Sequence, residues 1–569
     1  MRELSILFVN LFYPEKHPTI GFPVNVESLA GDLAGAYGNE VETLVLDMQQ
    51  PGVTPEHILE TIRNGSFDIV GISVKTGQRA IAEGLIEGIA ALDARNRPGH
   101  VLVGGYRPRV FHDEFAEKYD HVLVCIGEGE PTMRGMVEHL RGRRELEDIP
   151  NLVYREAGEL KRTGREQHDL NEWHPPGTTT LPYVLEAGGV VYLETSRGCT
   201  WGKCTFCSRK FSSGTKPSTV PPKRVASSWA DFQRLGVRHV YCSDEDFLMS
   251  SHTHGQELSK ALIEAGVNIE FWVQTTVDGV LQLGRAAYEA AEGGVASRRL
   301  RIAGQDPLPV EITTAQAEST LTTLQRAGLR RIFFGLESGS ATQLERYRKG
   351  VSPAQGARAV HLCRDLGLEV EVGFIPLDPL VTIDELRETI GFVRKHDLVP
   401  AIVKVLNLMC VQKGVAMYAK TAQAGLLSGP RDEETFLFPY DFMDPRAGEI
   451  AEQIKRWQRH GLSEFTYALR RIVDADPNNE GPRGFLMQLR DLEFEFLAAL
   501  AGAEAGEDER IYEGCMAQRL SIMQECMDSV ARGAMLDPNG FLEVALEDSL
   551  SEEGVAWMGE SETADVLRL

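Results

Sequence analysis

Three cysteines, Cys199, Cys204 and Cys207, fall within nine residues in the run Glu194-Thr-Ser-Arg-Gly-Cys199-Thr-Trp-Gly-Lys-Cys204-Thr-Phe-Cys207. Thiolates are soft ligands, the kind that zinc and iron-sulfur clusters prefer. Structural zinc normally takes four protein ligands, and no fourth Cys or His follows here at a customary spacing. Three ligands leave one iron of a 4Fe-4S cluster open to a substrate or cofactor, which suits catalysis better than simple electron carriage. A zinc knuckle on the same loop is the competing reading. Four residues, Thr200-Trp-Gly-Lys203, separate the first pair, and Gly202 gives the loop the backbone freedom to absorb them.

The loop follows the first of six β-rich runs that alternate with helical segments: Val190 to Thr195, Val237 to Cys242, Ile269 to Gln274, Arg331 to Gly335, Glu369 to Phe374 and Ala401 to Leu406. Six such repeats predict a parallel sheet closed part way into a barrel, a partial (β/α)6 barrel with its chemistry at the strand carboxyl ends. Tyr241-Cys-Ser-Asp-Glu-Asp-Phe247, Trp272-Val-Gln-Thr-Thr-Val-Asp278 and Phe334-Gly-Leu-Glu-Ser-Gly339 occupy those ends after the second, third and fourth strands. The long third interval holds an insertion, Gly284 to Glu311, whose Arg298-Arg-Leu-Arg301 reads as a solvated loop.

Ahead of the barrel, Ser5 to Val9, Val41 to Leu46, Asp68 to Ser73, His100 to Val103 and His121 to Cys125 alternate with helical stretches such as Asn25 to Tyr37 and Arg79 to Ala94. This is the pattern of a doubly wound, Rossmann-like α/β sheet. Gly71-Ile-Ser73, Gly104-Gly105-Tyr106 and Gly127-Glu128-Gly129-Glu130 end its strands at the carboxyl edge, where such sheets bind ligands. Thr132 stands where a dinucleotide fingerprint needs its last glycine, and no P-loop occurs. The expected division is a Rossmann-like domain over 1–145, a linker over 146–187 broken at His174-Pro-Pro-Gly177, the barrel over 188–410, and a helical domain over 411–569. Asn151 to Arg155 is read as a small strand inside the linker. In the last domain Tyr512, Met516, Leu520, Met523, Met527 and Val530 recur at helical spacing and predict packed core. Cys125, Cys242, Cys363, Cys515 and Cys526 are expected to pack rather than react.

The cysteine loop resembles the radical S-adenosylmethionine superfamily, whose pattern is Cys-x3-Cys-x2-Cys with an aromatic before the third Cys, here Phe206. The loop departs from that pattern by its one extra residue. The strand-end segments above, Lys349-Gly350 and Gly373-Phe-Ile-Pro376 are similar to those of the cobalamin-dependent branch, and the resemblance spans residues from about 3 to 410. It implies a 4Fe-4S cluster on Cys199, Cys204 and Cys207. It implies S-adenosylmethionine held by Glu245, Gln274, Glu337 and Ser338, with Phe206 against the adenine. It implies cobalamin over Gly104, Gly105, Gly127 and Glu128. No Asp-x-His-x-x-Gly occurs, so a histidine beneath the cobalt is not implied. Only Cys125 precedes residue 199, so the extra cluster of methylthiotransferases is missing. The activity implied is C-methylation of a small metabolite or modified peptide in a biosynthetic pathway, fed by an external electron donor. The alternative is cyclisation, ring contraction or oxidation with cobalamin as a redox partner or unused.

Composition sets outer bounds. At about 150 residues per domain, 569 residues imply three to four domains. With 83 acidic against 59 basic residues the formal charge is -24, which disfavours nucleic acid and anionic membranes, so any polyanionic partner needs a local basic patch. No apolar run reaches the ~20 residues that span a bilayer, and the N-terminus does not read as a signal peptide, so a cytoplasmic location is expected.

Overall fold

The computed structural model describes residues 3–12, 20–199, 201–209, 217–248, 254–281, 297–299, 309–311, 314–458, 462–475, 479–504, 506–533, 535 and 542. Seven strands form the first sheet: β1 (Leu4–Asn10), β2 (Val41–Asp47), β3 (Ile69–Ser73), β4 (His100–Gly104), β5 (Val122–Cys125), β6 (Leu152–Glu156) and β7 (Glu159–Arg162). Their order is β2-β1-β3-β4-β5-β6-β7, parallel through β5 and antiparallel beyond it. The near-continuous apolar composition of β1 and β3 follows from burial on both faces, with separate cores beneath the helices on either side.

The sheet therefore runs past the expected boundary at 145. Asn151 to Arg155 is no isolated strand of a linker: Val153 pairs with Val124 of β5, and Leu152, Val153 and Tyr154 are buried, so this segment extends the sheet and β7 forms its edge.

The second sheet has the order β16-β15-β12-β11-β8, all parallel, made from β8 (Tyr192–Leu193), β11 (His239–Cys242), β12 (Glu270–Thr275), β15 (Leu329–Glu337) and β16 (Glu369–Phe374). Val240, Cys242, Phe271, Val273, Ile332 and Phe334 bury one face of it against helices. The other face carries Tyr192, Tyr241 and Trp272, whose rings meet edge to face, with Arg331 over Trp272. Helix 222–234 shows the outer packing: Trp229 is 1% exposed and meets Phe271 edge to face at 5.3 Å.

The sixth expected strand, Ala401 to Leu406, does not form. Pro400 lies within a 3-10 turn, Val399–Ala401, and only isolated bridges, Val372 to Ile402 and Leu377 to Leu408, continue the sheet. Pro400, whose ring fixes φ, suits that turn, immediately before the expected strand. The short β9 (Ser196–Arg197) pairs with β10 (Ser218–Thr219) beside the cysteine loop. Most of the insertion read at Gly284 to Glu311 lies outside the described residues; within it β13 (Ser297–Arg299) pairs with β14 (Pro309–Glu311).

The region from 411 does not begin as helices alone. After helix 416–423 comes an irregular stretch with bridges Gln412 to Leu437 and Leu427 to Tyr440. It folds back onto the first domain: Glu434 caps the start of helix 79–90, Arg431 pairs with Glu114, and Phe436 stacks on Phe111 at 4.1 Å. Helices 445–457, 462–475, 480–502 and 508–531 then pack against the barrel, with Tyr512, Met516 and Met523 buried as the stripe predicts. Among the described residues no helix is long and apolar enough to cross a membrane.

Replacing Trp229 with Ala should destabilise the barrel by about 3–5 kcal/mol, through lost transfer energy and the cavity left behind. Urea unfolding followed by intrinsic fluorescence of the remaining tryptophans would measure it; a change under about 1 kcal/mol would contradict this packing.

A candidate cofactor site between the two sheets

The cysteine loop is pinned at both ends and on its outer side. At its root the N–H of Gly198 donates to Glu245 Oε2 at 2.8 Å. Gly202 adopts a φ of +54°, the left-handed turn that accommodates the extra residue of the loop. Outside, the indole N–H of Trp201 donates to the carbonyl of Arg348 at 2.8 Å. Thr205 is held by the carbonyls of Tyr347 and Arg346, and its own carbonyl accepts from Met417 N at 2.8 Å. Cys199 Sγ lies 3.9 Å from Asp246, which Thr275 fixes at 2.8 Å.

Burial, reinforced by Asp246, pushes the Cys199 thiol up to about 12. Burial pushes Cys204 up to about 11, against the pull of Lys349. Thiols so placed stay protonated until a metal displaces the proton. Lys349 is the cation that could offset the resulting thiolates: it bonds Glu337 Oε1 at 3.0 Å and sits 5.9 Å from the centre of the Phe206 ring. The surrounding carboxylate and sulfurs hold its ammonium well above its ordinary range despite burial.

The other expected contacts are distributed unevenly. Phe206 packs edge to face on the buried Tyr347, ring centres 5.4 Å apart, facing the cysteines' loop. Glu245 and Glu337 lie against that loop, through Gly198 and Lys349 respectively, and Glu337 holds a φ of +68° to do so. Gln274 is half-buried on β12 and its carbonyl accepts from Phe247 N at 2.9 Å. Ser338 is fully buried, with its hydroxyl engaged by Gln343, Thr389 and the N–H of Ser340. That engagement fits Ser338 for shaping the turn after β15 rather than for reaching a ligand with its side chain.

On the inner side of the loop a cavity of about 240 Å³ separates the carboxyl edges of the two sheets. Gly104, Gly105, Gly127 and Glu128 line it from the first domain, as the glycine-rich strand ends predict, and Glu245 and Arg197 line it from the barrel. Gly105 has a φ of +103°, and a Cβ there would stand 2.7 Å from the carbonyl of Val74, so no side chain fits. Arg109 also lines the cavity; its Nε is buried and, among the described residues, has no hydrogen-bond partner. Burial lowers its pKa, partly offset by Cys125, Glu128 and Glu130.

Arg197, two residues before Cys199, binds three carboxylates. It reaches Glu128 at 2.8 Å and Glu130 at 2.6 Å across the domain boundary, and Glu194 at 2.6 Å within its own segment. Burial would raise Glu130, but Arg197 outweighs it and holds that carboxyl down to about 2. Burial raises Glu128 in spite of the same partner. Tyr106 adds a second bridge, bonding Ser208 just beyond Cys207 and accepting from Gln412 Nε2 at 3.2 Å.

Sequence reasoning missed Arg197, Arg109 and Tyr106, and noted Lys349 without a role. A basic residue beside a cysteine loop was a visible signal for Arg197; the partners of Arg109 and Tyr106 depend on contacts that spacing does not report. Cys125, Cys242, Cys363 and Cys526 are buried, in keeping with packing roles, while Cys515 is half-buried.

A B12 binding domain model matches residues 15–137 and a Radical SAM superfamily model matches residues 193–393. The chain is 28% identical over 419 residues to 4'-phospho-dehydrooxetanocin synthase of Priestia megaterium, a match covering 71% of this chain and 52% of that protein, about half its length. The cobalamin-dependent S-adenosylmethionine radical enzyme OxsB with aqua-cobalamin bound superposes with a TM-score of 0.79 at 20% identity, covering 97% of this chain and 84% of that one. The radical S-adenosylmethionine methyltransferase TsrM of Kitasatospora setae, with cobalamin and a [4Fe-4S] cluster, gives 0.57 at 16% identity over 91% and 99%.

Substituting Arg197 with Met leaves three buried carboxylates without their cation and should cost about 3–5 kcal/mol. Urea titration would read the loss, and adding Glu128→Gln and Glu130→Gln should recover part of it; no recovery would show that these carboxylates are not what Arg197 stabilises.

Proposed function

The chain belongs to the cobalamin-binding branch of the radical S-adenosylmethionine enzymes, and from that premise we propose that it is a C-methyltransferase acting on a small metabolite or modified peptide. The observation that carries this reading is the cavity shared by both domains, with a glycine-lined edge on one side and the root of a three-cysteine loop on the other. The donor set fits the family's cofactors. Cys199, Cys204 and Cys207 would hold the 4Fe-4S cluster, three soft ligands leaving one iron open. Phe206, Glu245, Gln274 and Glu337 would hold S-adenosylmethionine, with Ser338 bracing the turn that carries Glu337. Gly104, Gly105, Gly127, Glu128 and Arg109, whose buried Nε has no hydrogen-bond partner among the described residues, would hold cobalamin. Together these groups supply hydrogen-abstracting radical chemistry and a transferable methyl group.

The residues of the chain contribute position and exclusion. Arg197 fixes the separation of the two sheets, so that a substrate carbon placed between them meets both reactive ends in one geometry. Phe206 and Tyr347 wall the site against water. Lys349 offsets the charge of Cys204 and Cys207 and holds Glu337 beside them. Nothing in the lining of the cavity selects one substrate, and the electron is taken from an external donor.

A second reading is favoured by the relative named a synthase and by the fold's close agreement with OxsB along 97% of the chain. In that reading the same cofactors drive a ring contraction, cyclisation or oxidation. Product mass separates the two, because methylation adds about fourteen mass units while rearrangement adds none.

Anaerobic reconstitution with hydroxocobalamin should give about four irons and one cobalamin per chain. Cys204→Ala should lose the cluster while keeping cobalamin, and Gly105→Val should lose cobalamin while keeping iron. Stoichiometric zinc without iron, or loss of both cofactors together in each variant, would overturn the two-site assignment.

A further inference from the structure

The strands of the barrel have a second concavity at their amino ends. β15 closes on Glu337, which Lys349 ties to the cysteines, and opens six residues earlier at Arg331. Arg331 pairs in register with Glu369 of β16, and Glu371 follows two residues on, so the three share one face of the sheet. Arg470 of helix 462–475 approaches them, bonding Glu371. Arg483 and Arg490 stand seven positions apart on helix 480–502, a spacing that puts both on one side of it. These groups line a cavity of about 210 Å³, to which Arg364 of helix 353–365 adds a fifth guanidinium.

The charges of this cavity do not cancel. Three carboxylates serve three of its arginines. Arg331 reaches Asp474 at 2.8 Å, Glu369 at 3.1 Å and Glu371 at 3.5 Å. Arg470 shares Asp474 at 3.1 Å as well as Glu371, and Arg483 stands 3.8 Å from Glu369. Arg364 and Arg490 instead donate to main-chain carbonyls, those of Asp397 and Pro400, each at 3.0 Å, and among the described residues neither forms an ion pair. Glu493, three residues beyond Arg490, is held by Arg519 and by the indole N–H of Trp457 at 3.4 Å. Arg490 is only 7% exposed, and burial, with Arg470 close by, draws its guanidinium down to about 10. Five guanidinium groups against three carboxylates leave two positive charges, the charge of one phosphate dianion. In a chain of net charge -24 this is a local reversal of sign in a recess, where a buried cation is costly without a counter-charge.

We propose that this cavity binds a phosphate group, taken up by Arg490 and Arg364 between the amino ends of β15 and β16 and the two C-terminal helices. The planar fork of a guanidinium matches phosphate oxygens, and Arg490 has Nε and Nη2 free of hydrogen bonds among the described residues. The source is either free phosphate or the phosphate of a small phosphorylated metabolite. Its bound charge ties helices 462–475 and 480–502 to the barrel. The site is at the opposite end of the strands from the cysteine loop and does not depend on the cofactors.

The test uses the full chain reconstituted with its cofactors. Inorganic phosphate is titrated at fixed ionic strength by calorimetry, and amide hydrogen exchange locates its effect. One phosphate should bind per chain and slow exchange in helices 462–475 and 480–502. Arg364→Met/Arg490→Met should weaken binding by at least about tenfold, the scale of one lost hydrogen bond to a charged group, and should lose that protection. Arg364→Met alone, at a half-buried position, should weaken binding severalfold with an unchanged melting temperature in chloride, which separates the site from a folding defect in the double variant. Arg95→Met/Arg234→Met removes the same charge from exposed positions and should bind as the parent does. Adenosine 5′-monophosphate tells the sources apart: protection of the same helices assigns the site to phosphate esters, and protection by inorganic phosphate alone assigns it to the free ion. No saturable binding to the parent, equal binding by the parent and both Arg364 variants, or protection confined to the segments around Arg109 overturns the site. Iron and cobalt content reports separately on the cofactor reading, so the two failures are told apart.

Discussion

Everything at the centre of this molecule depends on where Arg197 finds its counter-charges. A buried guanidinium is tolerable only when its donors are matched, and here three carboxylates from two domains match them in a planar fork. Glu194 also accepts from the indole N–H of Trp173 at 3.1 Å, so the connecting segment joins the same network. Since Arg197 precedes Cys199 by two residues, the bonds that dock the first domain also set the root of the cysteine loop. Domain orientation and metal-ligand orientation are thus one constraint.

Two faces of that constraint have different chemistry. On the side of the first sheet lies a cavity with a glycine edge and Arg109, whose Nε has no hydrogen-bond partner among the described residues; on the barrel side lie three thiols with Lys349 beside them. The stretch from 411 to 444 packs on the first domain, since Arg107 bonds Gln412 at 3.3 Å and Arg79 and Arg431 tie Glu433 and Glu114 together. A site built at a junction of domains gains its geometry from each and loses it if any one separates.

Much of this could be read from sequence where the signal is local. Strands β1 and β3 announce themselves by apolar runs, that of β3 ending in Gly71-Ile-Ser73, and three cysteines within one loop need no tertiary information to suggest a metal. The glycines at 104, 105 and 127 line the cavity, and the sequence marks them because strand-end turns and close approaches demand glycine at particular positions. What escaped depends on distant partners. Glu128 and Glu130 lie nearly seventy residues from Arg197 in the chain, so neither periodicity nor spacing links them. The sixth barrel strand is expected from an apolar run although Pro400 precedes it; β6 reads as a strand but not as part of the first sheet, because its pairing with β5 is a distant contact, and the charged β7 carries no alternating pattern. Ser338 shows a further limit: a motif marks a turn without saying which of its side chains faces the ligand.

On the proposed assignment one junction holds both metal centres at a single short separation. Pulsed dipolar electron paramagnetic resonance on the protein carrying cob(II)alamin and a one-electron-reduced cluster reads that separation directly. One narrow distance is expected, no larger than the space needed for S-adenosylmethionine and a small substrate between the two centres. A cobalt signal without dipolar coupling to the cluster, or a broad spread of long distances, would contradict it.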